Sequence, residues 1–417
     1  MIPVKEALNQ ILESIPVLNL EKVGILDALG RVAGEDIVAH RNIPPKDNSA
    51  MDGYALHWDD TIGAEPDHPV SLDVIEDIPA GKIPERAVGG GQASKIMTGA
   101  PIPEGADAVV KVEDTRADGH KVRIFCEAQY GQDIRKAGED VRQGEIVIAH
   151  GSIIRPAEVG MLASLGRSIV SVHQRPVVAI IATGDELVDI DEIPSPWKII
   201  SSNSYATAAQ VGEAGGIPLL LGIAKDTRAD LVEKFNAAER ADIVVTSGGV
   251  SMGDYDLVKV VMNEIGNAMR FWQVAMRPGK PLAYGNIRGI PLFGLPGNPV
   301  SSMISFEQFV RPTILKMSGH VKIFRKTIRA RIMEDYDKKP RLVNFVRGRV
   351  SGSDGNWQVT TTGEQGSGIL KSMVKANGLI VLPEEISSVK AGDVVAVQLL
   401  EDANDGAMEP AYLQRLS

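Results

Sequence analysis

Between residues 176 and 318, continuous apolar runs alternate with amphipathic ones, and no other feature restricts the fold as much. PVVAIIATG (176–184), IPLLLGIA (217–224), DIVVTSGG (242–249) and PLFGLPG (291–297) are short and largely aliphatic, and all but the second end in glycine. Runs that are apolar on both faces belong in a parallel sheet covered by helices on both sides. The stretches between them supply those helices: SNSYATAAQVGEAGG (202–216), DTRADLVEKFNAAERA (226–241), DYDLVKVVMNEIG (254–266) and NPVSSMISFEQFVRPTILKMSG (298–319). FWQVAM and LAYGNI read as further short strands. This region is therefore expected to be α/β, with a mostly parallel sheet.

The flanks read differently. Residues 40–175 are rich in glycine and proline, with short runs such as AVVKVED, KVRIF and EIVIAH that suggest compact β structure. RPAEVGMLASLG (155–166) reads as a helix. Residues 322–417 return to β with TIRARI, LVNFVRGRV, NWQVTTT, GLIVLP and DVVAVQLL, which suggest a small barrel or sandwich. At the front, Val4, Leu8, Ile11, Leu12 and Ile15 fall on one helical face, and Pro16 ends the run.

Charge and composition exclude several classes. There are 44 basic and 54 acidic residues, a formal balance of −10. So acidic a chain does not track nucleic-acid backbone, and any anion it binds needs a local site. The single cysteine, Cys126, rules out an internal disulfide and a CxxC motif. The seven histidines show no zinc-binding spacing. No apolar run reaches the roughly 20 residues of a membrane span. MIPVKEALNQILESI lacks the pattern of a signal peptide, so the cytoplasm is the expected compartment.

Ligands of an open parallel sheet sit beyond the carboxyl ends of its strands. Four loops meet that condition. The first holds Thr183, Gly184, Asp185 and Glu186, and the second Lys225, Asp226 and Thr227. The third runs Ser247-Gly248-Gly249-Val250-Ser251-Met252-Gly253, and the fourth Leu295-Pro296-Gly297-Asn298-Pro299-Val300-Ser301-Ser302. Glycine-rich helix starts let backbone amides approach an anion. Asn298 is a candidate N-cap with Pro299 in the first turn. Asp185, Glu186, Asp226, Asp254 and Asp256 are hard oxygen donors suited to Mg²⁺ beside phosphate. In RPGKP, Arg277 and Lys280 flank a rigid turn and could neutralise phosphate. Gly249 to Gly253 also matches the G-x-S-x-G nucleophile elbow. His320 is the only histidine after Ser251 and closes a long helix, so the triad lacks its partners. The glycine-rich run Gly363–Gly368 lies in the β-rich tail, away from any dinucleotide-binding context.

Taken jointly, DNSAMDGYA (47–55), IMTGAPIPEGADAVV (96–110), the GED of 138–140, ATGDEL (182–187), TSGGVSMGDYD (246–256), RPGKP (277–281), GLPGNPVSS (294–302) and TTTGEQGSG (360–368) resemble the MoeA family. These are molybdopterin molybdenumtransferases of molybdenum cofactor biosynthesis, related to the E domain of gephyrin. The motifs run in family order over nearly the whole chain. The resemblance implies a homodimer of four-domain subunits. Applied here, it gives an N-terminal helix at 1–20 packing on the α/β domain and a small linking domain from 21–42 and 141–174. A β-rich inserted domain at 43–140, a molybdopterin-binding α/β domain at 175–320 and a C-terminal β-barrel at 321–417 complete it.

The implied reaction inserts molybdate into adenylylated molybdopterin and releases AMP with the help of Mg²⁺. A molybdopterin adenylyltransferase would supply the substrate, and molybdoenzymes or their maturation factors would receive the product. The resemblance makes Asp52, Thr98, Asp140, Glu186, Arg277 and Lys280 the catalytic candidates. Thr183, Gly184, Asp226, Ser247, Gly248, Gly249, Ser251, Gly253, Pro296, Gly297, Asn298, Pro299, Ser301 and Ser367 become ligand-binding candidates, with Glu186 and Asp256 on the metal. Many relatives carry lysine where Arg277 stands, and arginine is not equivalent to a point charge. A scaffold like gephyrin would need that protein's linker and adenylyltransferase domain, which nothing here resembles. A lone adenylyltransferase would be expected to stop at one α/β domain.

Overall fold

The molecule is described by a computed structural model covering residues 1–248, 261, 269–352 and 355–400. Internal contacts divide it into two units. One comprises Met1–Glu21, Gly30–Val32 and Val172–Ser417, the other Lys22–Leu29 and Ala33–Ser171.

The first unit holds the expected α/β layer, a six-stranded sheet. Ile217–Ala224, Val177–Thr183, Ile243–Ser247 and Ile290–Leu295 lie side by side and parallel. Pro281–Ile287 and Phe271–Gln273 then continue the sheet antiparallel. Strand periodicity splits the apolar runs between two cores. Val178, Ile180, Val245 and Phe293 face a core shared with Val211 of the helix Ser202–Glu213 and with Val300, Ile304 and Ile314 further on. Ala179, Ile181, Val244 and Leu292 face a second core with Leu231 and Phe235 of the helix Arg228–Ala237. The sheet is thus covered on both sides, as the apolar runs require.

Two details differ from the sequence reading. IPLLLGIA is the edge strand with one strand neighbour, and only Ala224 in it is buried. The 298–319 helix comprises Pro299–Ser305, a π-helical turn at Phe306–Val310, and Arg311–Met317. Pro312 lacks the N–H that would bond the preceding turn, which accounts for the widened ladder beside it. The N-terminal helix Val4–Ser14 buries Ala7 and Ile11, with Val4 and Leu8 packed on the same core. Ser14 Oγ lies 2.6 Å from the Tyr284 hydroxyl and ties the helix to the sheet.

In the same unit, Thr327–Ile332, Val343–Ser351, Gln358–Thr361, Gly378–Leu382 and Val394–Leu399 close into a five-stranded barrel. Ile332, Val346, Val350, Ile380 and Val397 fill its interior. The short strand Met276–Arg277 pairs with the barrel through Val343 and Asn344. The α/β layer and the barrel are therefore joined by hydrogen bonds at Arg277.

The second unit is built on a mixed six-stranded sheet in the order Ala108–Lys111, Gly53–Leu56, Gln92–Ile96, Val70–Ile78, Lys121–Ile124 and Thr115–Asp118. Tyr54 and Leu56 face one core and Ala55 the other. The expected helix is present at Pro156–Ser164. Among the described residues no helix is long and apolar enough to cross a membrane.

Phe293 is fully buried on the central parallel strand, with its ring 5.0 Å from that of Tyr284. Phe293→Ala is expected to lower the unfolding free energy of this unit by about 3–5 kcal/mol, read from urea denaturation.

Candidate functional site

In the second unit, the motif DNSAMDGYA holds three stretches together. Gly53 starts a central strand, and a Cβ there would sit 2.0 Å from the Val110 carbonyl oxygen, so only glycine fits. Asp52, just before it, accepts hydrogen bonds from the Thr98 backbone N–H (2.7 Å) and hydroxyl (2.8 Å), both on Oδ1. These two donors hold the Asp52 carboxyl below its usual range. Asp47 accepts from the Ala137 N–H and Lys136 Nζ, at 2.8 and 2.9 Å. The Asp140 N–H donates to the Ile43 carbonyl at 3.0 Å, which leaves the Asp140 carboxylate exposed. Asp52 and Thr98 are in direct contact, and hydrogen bonds of the 43–50 stretch tie the segments carrying Thr98 and Asp140 to it.

In the first unit, a cavity of about 550 Å³ opens at the carboxyl edge of the parallel strands. Thr183, Glu186, Ser247, Gly248, Gly297, Asn298 and Pro299 line it, together with Leu187 and the Ile199–Asn203 stretch. Gly248 has φ +91°, and a Cβ would fall 2.5 Å from the Thr183 carbonyl oxygen. Gly184 has φ +142°, and a Cβ would meet the Glu186 carboxylate at 2.6 Å. Both turns thus require glycine and keep the strand ends open to a ligand. Asn203 Nδ2 donates at 2.8 Å to both Ser247 Oγ and the Gly297 carbonyl. It joins two loops that the sequence offers separately. Its signal was its place at the start of a helix facing those strand ends.

The helix start at 298–302 differs from the expectation. Asn298 occupies the N-cap position but makes no side-chain cap bond. The Val300 N–H instead donates to the Ser367 carbonyl at 3.1 Å, which brings the TTTGEQGSG loop to the mouth of the cavity. Ser301 and Ser302 are buried, and Ser302 Oγ has no hydrogen-bond partner among the described residues. Pro296 precedes Gly297 in the same loop. Gly249, Ser251, Gly253, Asp254 and Asp256 lie outside the described residues.

Acidic and basic groups occupy opposite ends of this edge. At one end the Asp226 N–H donates to Asp185 Oδ1 at 3.1 Å. The Asp226 carboxyl is pushed up, first by burial and then by the charges of Asp185 and Glu186. Among the described residues, no three histidine, cysteine or acidic side chains converge as a metal site. At the other end is the RPGKP turn. Ala283 pairs with Gly294, so Lys280 comes level with the carboxyl end of Ile290–Leu295. Gly279 has φ +99°, and a Cβ would sit 2.6 Å from Ser305 Oγ, so the turn lies against the 299–305 helix. Arg277 and Lys280 are exposed.

Arg347 joins this basic end, and sequence reasoning missed it. It is 1% exposed. Nε donates to Ser372 Oγ and a terminal nitrogen to the Gly366 carbonyl, both at 3.0 Å. No carboxylate lies within ion-pair distance of it among the described residues. Burial holds its pKa below the usual guanidinium range; Tyr336 opposes that shift, and the Arg277 charge adds to it. A buried cation without a counter-charge is costly, and an anion at this end would relieve it. In LVNFVRGRV the arginine reads as the solvent face of a strand. The available signal was that it shares a strand face with the buried Phe345.

Comparison with known proteins agrees with this architecture. Three family models match: MoeA N-terminal region (domain I and II) at residues 2–166, probable molybdopterin binding domain at 179–316, and MoeA C-terminal region (domain IV) at 329–400. The chain is 36% identical to the molybdopterin molybdenumtransferase of Bacillus subtilis, covering 100% of this chain and 98% of that one. It is 35% identical to that of Staphylococcus aureus (strain COL), over 99% and 98%. The crystal structure of the molybdopterin biosynthesis MoeA protein of Pyrococcus horikoshii OT3 superposes with a TM-score of 0.80 at 32% identity, covering 96% of this chain and 100% of that one.

The Asp52–Thr98 contact gives a pH expectation. A carboxyl with a depressed pKa contributes stability above its unfolded value and loses it as pH falls through the folded value. Thr98→Val removes one of the two donors. The Asp52 carboxyl titration, followed by carbon NMR, should then move up toward 3.8. An unchanged midpoint would show that the hydroxyl contributes nothing.

Proposed function

The chain belongs to the MoeA family, and on that premise we propose that the carboxyl edge of its α/β sheet binds adenylylated molybdopterin and exchanges the adenylate for molybdenum. The chain is a transferase of molybdenum cofactor biosynthesis. The observation that carries the finer reading is the polarity of the edge: buried Arg347 with Arg277 and Lys280 at one end, and a glycine-shaped cavity leading away from them. Molybdate is a dianion and suits the basic end. The phosphates of the substrate suit the turns at Gly248 and Gly297, which line the cavity at the strand ends.

Cleaving a phosphoanhydride requires charge to be neutralised on its bridging and terminal oxygens. Arg277, Lys280 and Arg347 supply that neutralisation. An oxygen of molybdate attacks the adenylate phosphorus and the bridging P–O bond breaks, leaving its electron pair on the molybdopterin phosphate. AMP then departs with the molybdate oxygen as its Mo–O bond breaks, and the metal passes to the dithiolene sulfurs, whose two protons leave with one oxo group as water. Ser247, Ser301 and the Ser367 backbone orient the phosphates. Thr183, Gly184 and Pro299 shape the turns that receive them; the binding candidates Gly249, Ser251 and Gly253 lie outside the described residues. Asp52, fixed by Thr98, and Asp140 supply catalytic carboxylates.

The donors Glu186 and Asp256 would hold Mg²⁺, which when bound withdraws charge from phosphate oxygens. The repulsion among Asp185, Glu186 and Asp226 fits a cation at that end. We further propose a cytoplasmic homodimer that receives its substrate from a molybdopterin adenylyltransferase and passes product to molybdoenzymes or their maturation factors.

The test is AMP release from adenylylated molybdopterin with Mg²⁺, with and without molybdate. Release that requires molybdate and yields metal-loaded cofactor is expected. Binding without release would overturn the reading. Asp52→Ala, Asp140→Ala and Glu186→Ala should each lower metal insertion by at least about a hundredfold, with the unfolding midpoint kept. Normal turnover in all three would exclude these acids from the reaction.

A further inference from the structure

A large apolar side chain stands in water beside the acidic end of the cavity. Trp197 is 88% exposed, and nearby Ile193 is 98% exposed. Both belong to the segment that leaves the cavity wall at Glu186 and Leu187 and returns to it at Ile199 and Ile200. The segment is pinned at both ends. Leu187–Val188 pairs in parallel with Ile199–Ile200, and the Ile199 N–H donates to the Glu186 carbonyl at 2.9 Å. Lys198 Nζ donates to the Asp185 carbonyl. The Tyr205 hydroxyl, from the helix Ser202–Glu213, donates to Asp189 Oδ1 at 2.7 Å. Pro194 and Pro196 restrict the backbone between these anchors. Trp197 is therefore presented from a fixed frame and forgoes the burial that usually rewards an indole.

The charge around it says what it takes. Asp185, Glu186, Asp189, Asp191 and Glu192 lie in the same stretch, with Lys198 as its one cation. Beyond the carboxylates that a cation would neutralise, this segment is too acidic for a further phosphate and accepts an uncharged flat ring. The basic end, where molybdate must meet the dithiolene, lies at Lys280. Three strand spacings separate the strand Val177–Thr183 from the strand Pro281–Ile287, roughly 14 Å along the edge. A substrate laid along that edge keeps its pterin and dithiolene at the basic end and carries its adenosine toward Thr183, Ile199 and Ile200.

We propose that Trp197 stacks on the adenine of the bound adenylate and that the Leu187, Ile199 and Ile200 wall covers the ring's edge. This rests on the reading of the edge as the site for adenylylated molybdopterin. It assigns the adenine subsite, which recognises the leaving group and releases it as AMP. An aromatic face is a sequence-tolerant platform for a base, and its removal weakens binding through lost stacking.

The experiment uses the full chain and Trp197→Phe and Trp197→Ala variants, with AMP, molybdate and a phosphate-free pterin as probes. AMP should quench the tryptophan emission of the natural chain, and most of that quench should vanish in Trp197→Phe. By calorimetry, Trp197→Ala should bind AMP about tenfold more weakly. Trp197→Phe should stay close to the natural chain, and all three should bind molybdate equally. AMP binding that is equal in Trp197→Ala and the natural chain would overturn the stacking and leave the edge as the nucleotide site. No AMP binding to the natural chain would overturn both. A quench through Trp197 by the pterin and not by AMP would overturn the adenine assignment.

Discussion

Four parallel strands end on one edge, and the rest of the site depends on that constraint. Parallel pairing places the loops after residues 183, 224, 247 and 295 at the same border, though they are far apart in sequence. The loops after 183 and 247 can approach one another only because Gly248 carries no Cβ, which would sit 2.5 Å from the Thr183 carbonyl oxygen. Asn203 then bridges Ser247 and Gly297 and fixes the distance between the two loops. The antiparallel strand Pro281–Ile287 runs the other way, so its beginning, with Lys280 before it, falls on that border too.

The second determinant is electrostatic asymmetry. Three carboxylates lie at one end, where burial first and then the charges of Asp185 and Glu186 push Asp226 upward. Arg277, Lys280 and Arg347 occupy the other. Arg347 owes its position to the barrel: its strand presents Val346 and Val350 to the interior and turns Phe345 and Arg347 outward beneath the 365–372 segment. The barrel thus does more than append a domain. It packs a cation beneath the 365–372 segment and brings the Ser367 carbonyl to the Val300 N–H, beside a cavity whose walls belong to the α/β layer. In a chain with a net charge of −10, such a local basic end is where an oxyanion would meet the least repulsion.

The α/β layer was legible because its strands are continuous apolar runs and its helices are periodic, a local signal that needs no knowledge of distant contacts. The glycine-rich loops were legible for the same reason, since helix starts after strands carry their own punctuation. What escaped depends on tertiary contact. Asn298 looks like a cap, but the Val300 N–H beside it is bonded to the carbonyl of a residue 67 positions later. Arg347 looks like a surface residue until the 365–372 segment covers it. The edge position of IPLLLGIA follows from sheet order, which an apolar run does not encode. The π-helical turn at 306–310 follows from Pro312, whose effect on the preceding turn a helical pattern hides. In the other unit, the motifs around Asp52, Thr98 and Asp140 were visible as motifs; that hydrogen bonds of the 43–50 stretch tie them together was not.

The central claim is that one sheet edge holds molybdate at its basic end and the adenylate away from it. The most direct measurement is a crystal structure of the chain with AMP and molybdate bound, with molybdenum located by its anomalous scattering. The account expects the molybdenum peak beside Arg347, Arg277 and Lys280, and AMP density reaching from Ser247 and Gly248 toward Ile199. A molybdenum peak among Asp185, Glu186 and Asp226, or AMP bound away from this edge, would contradict it.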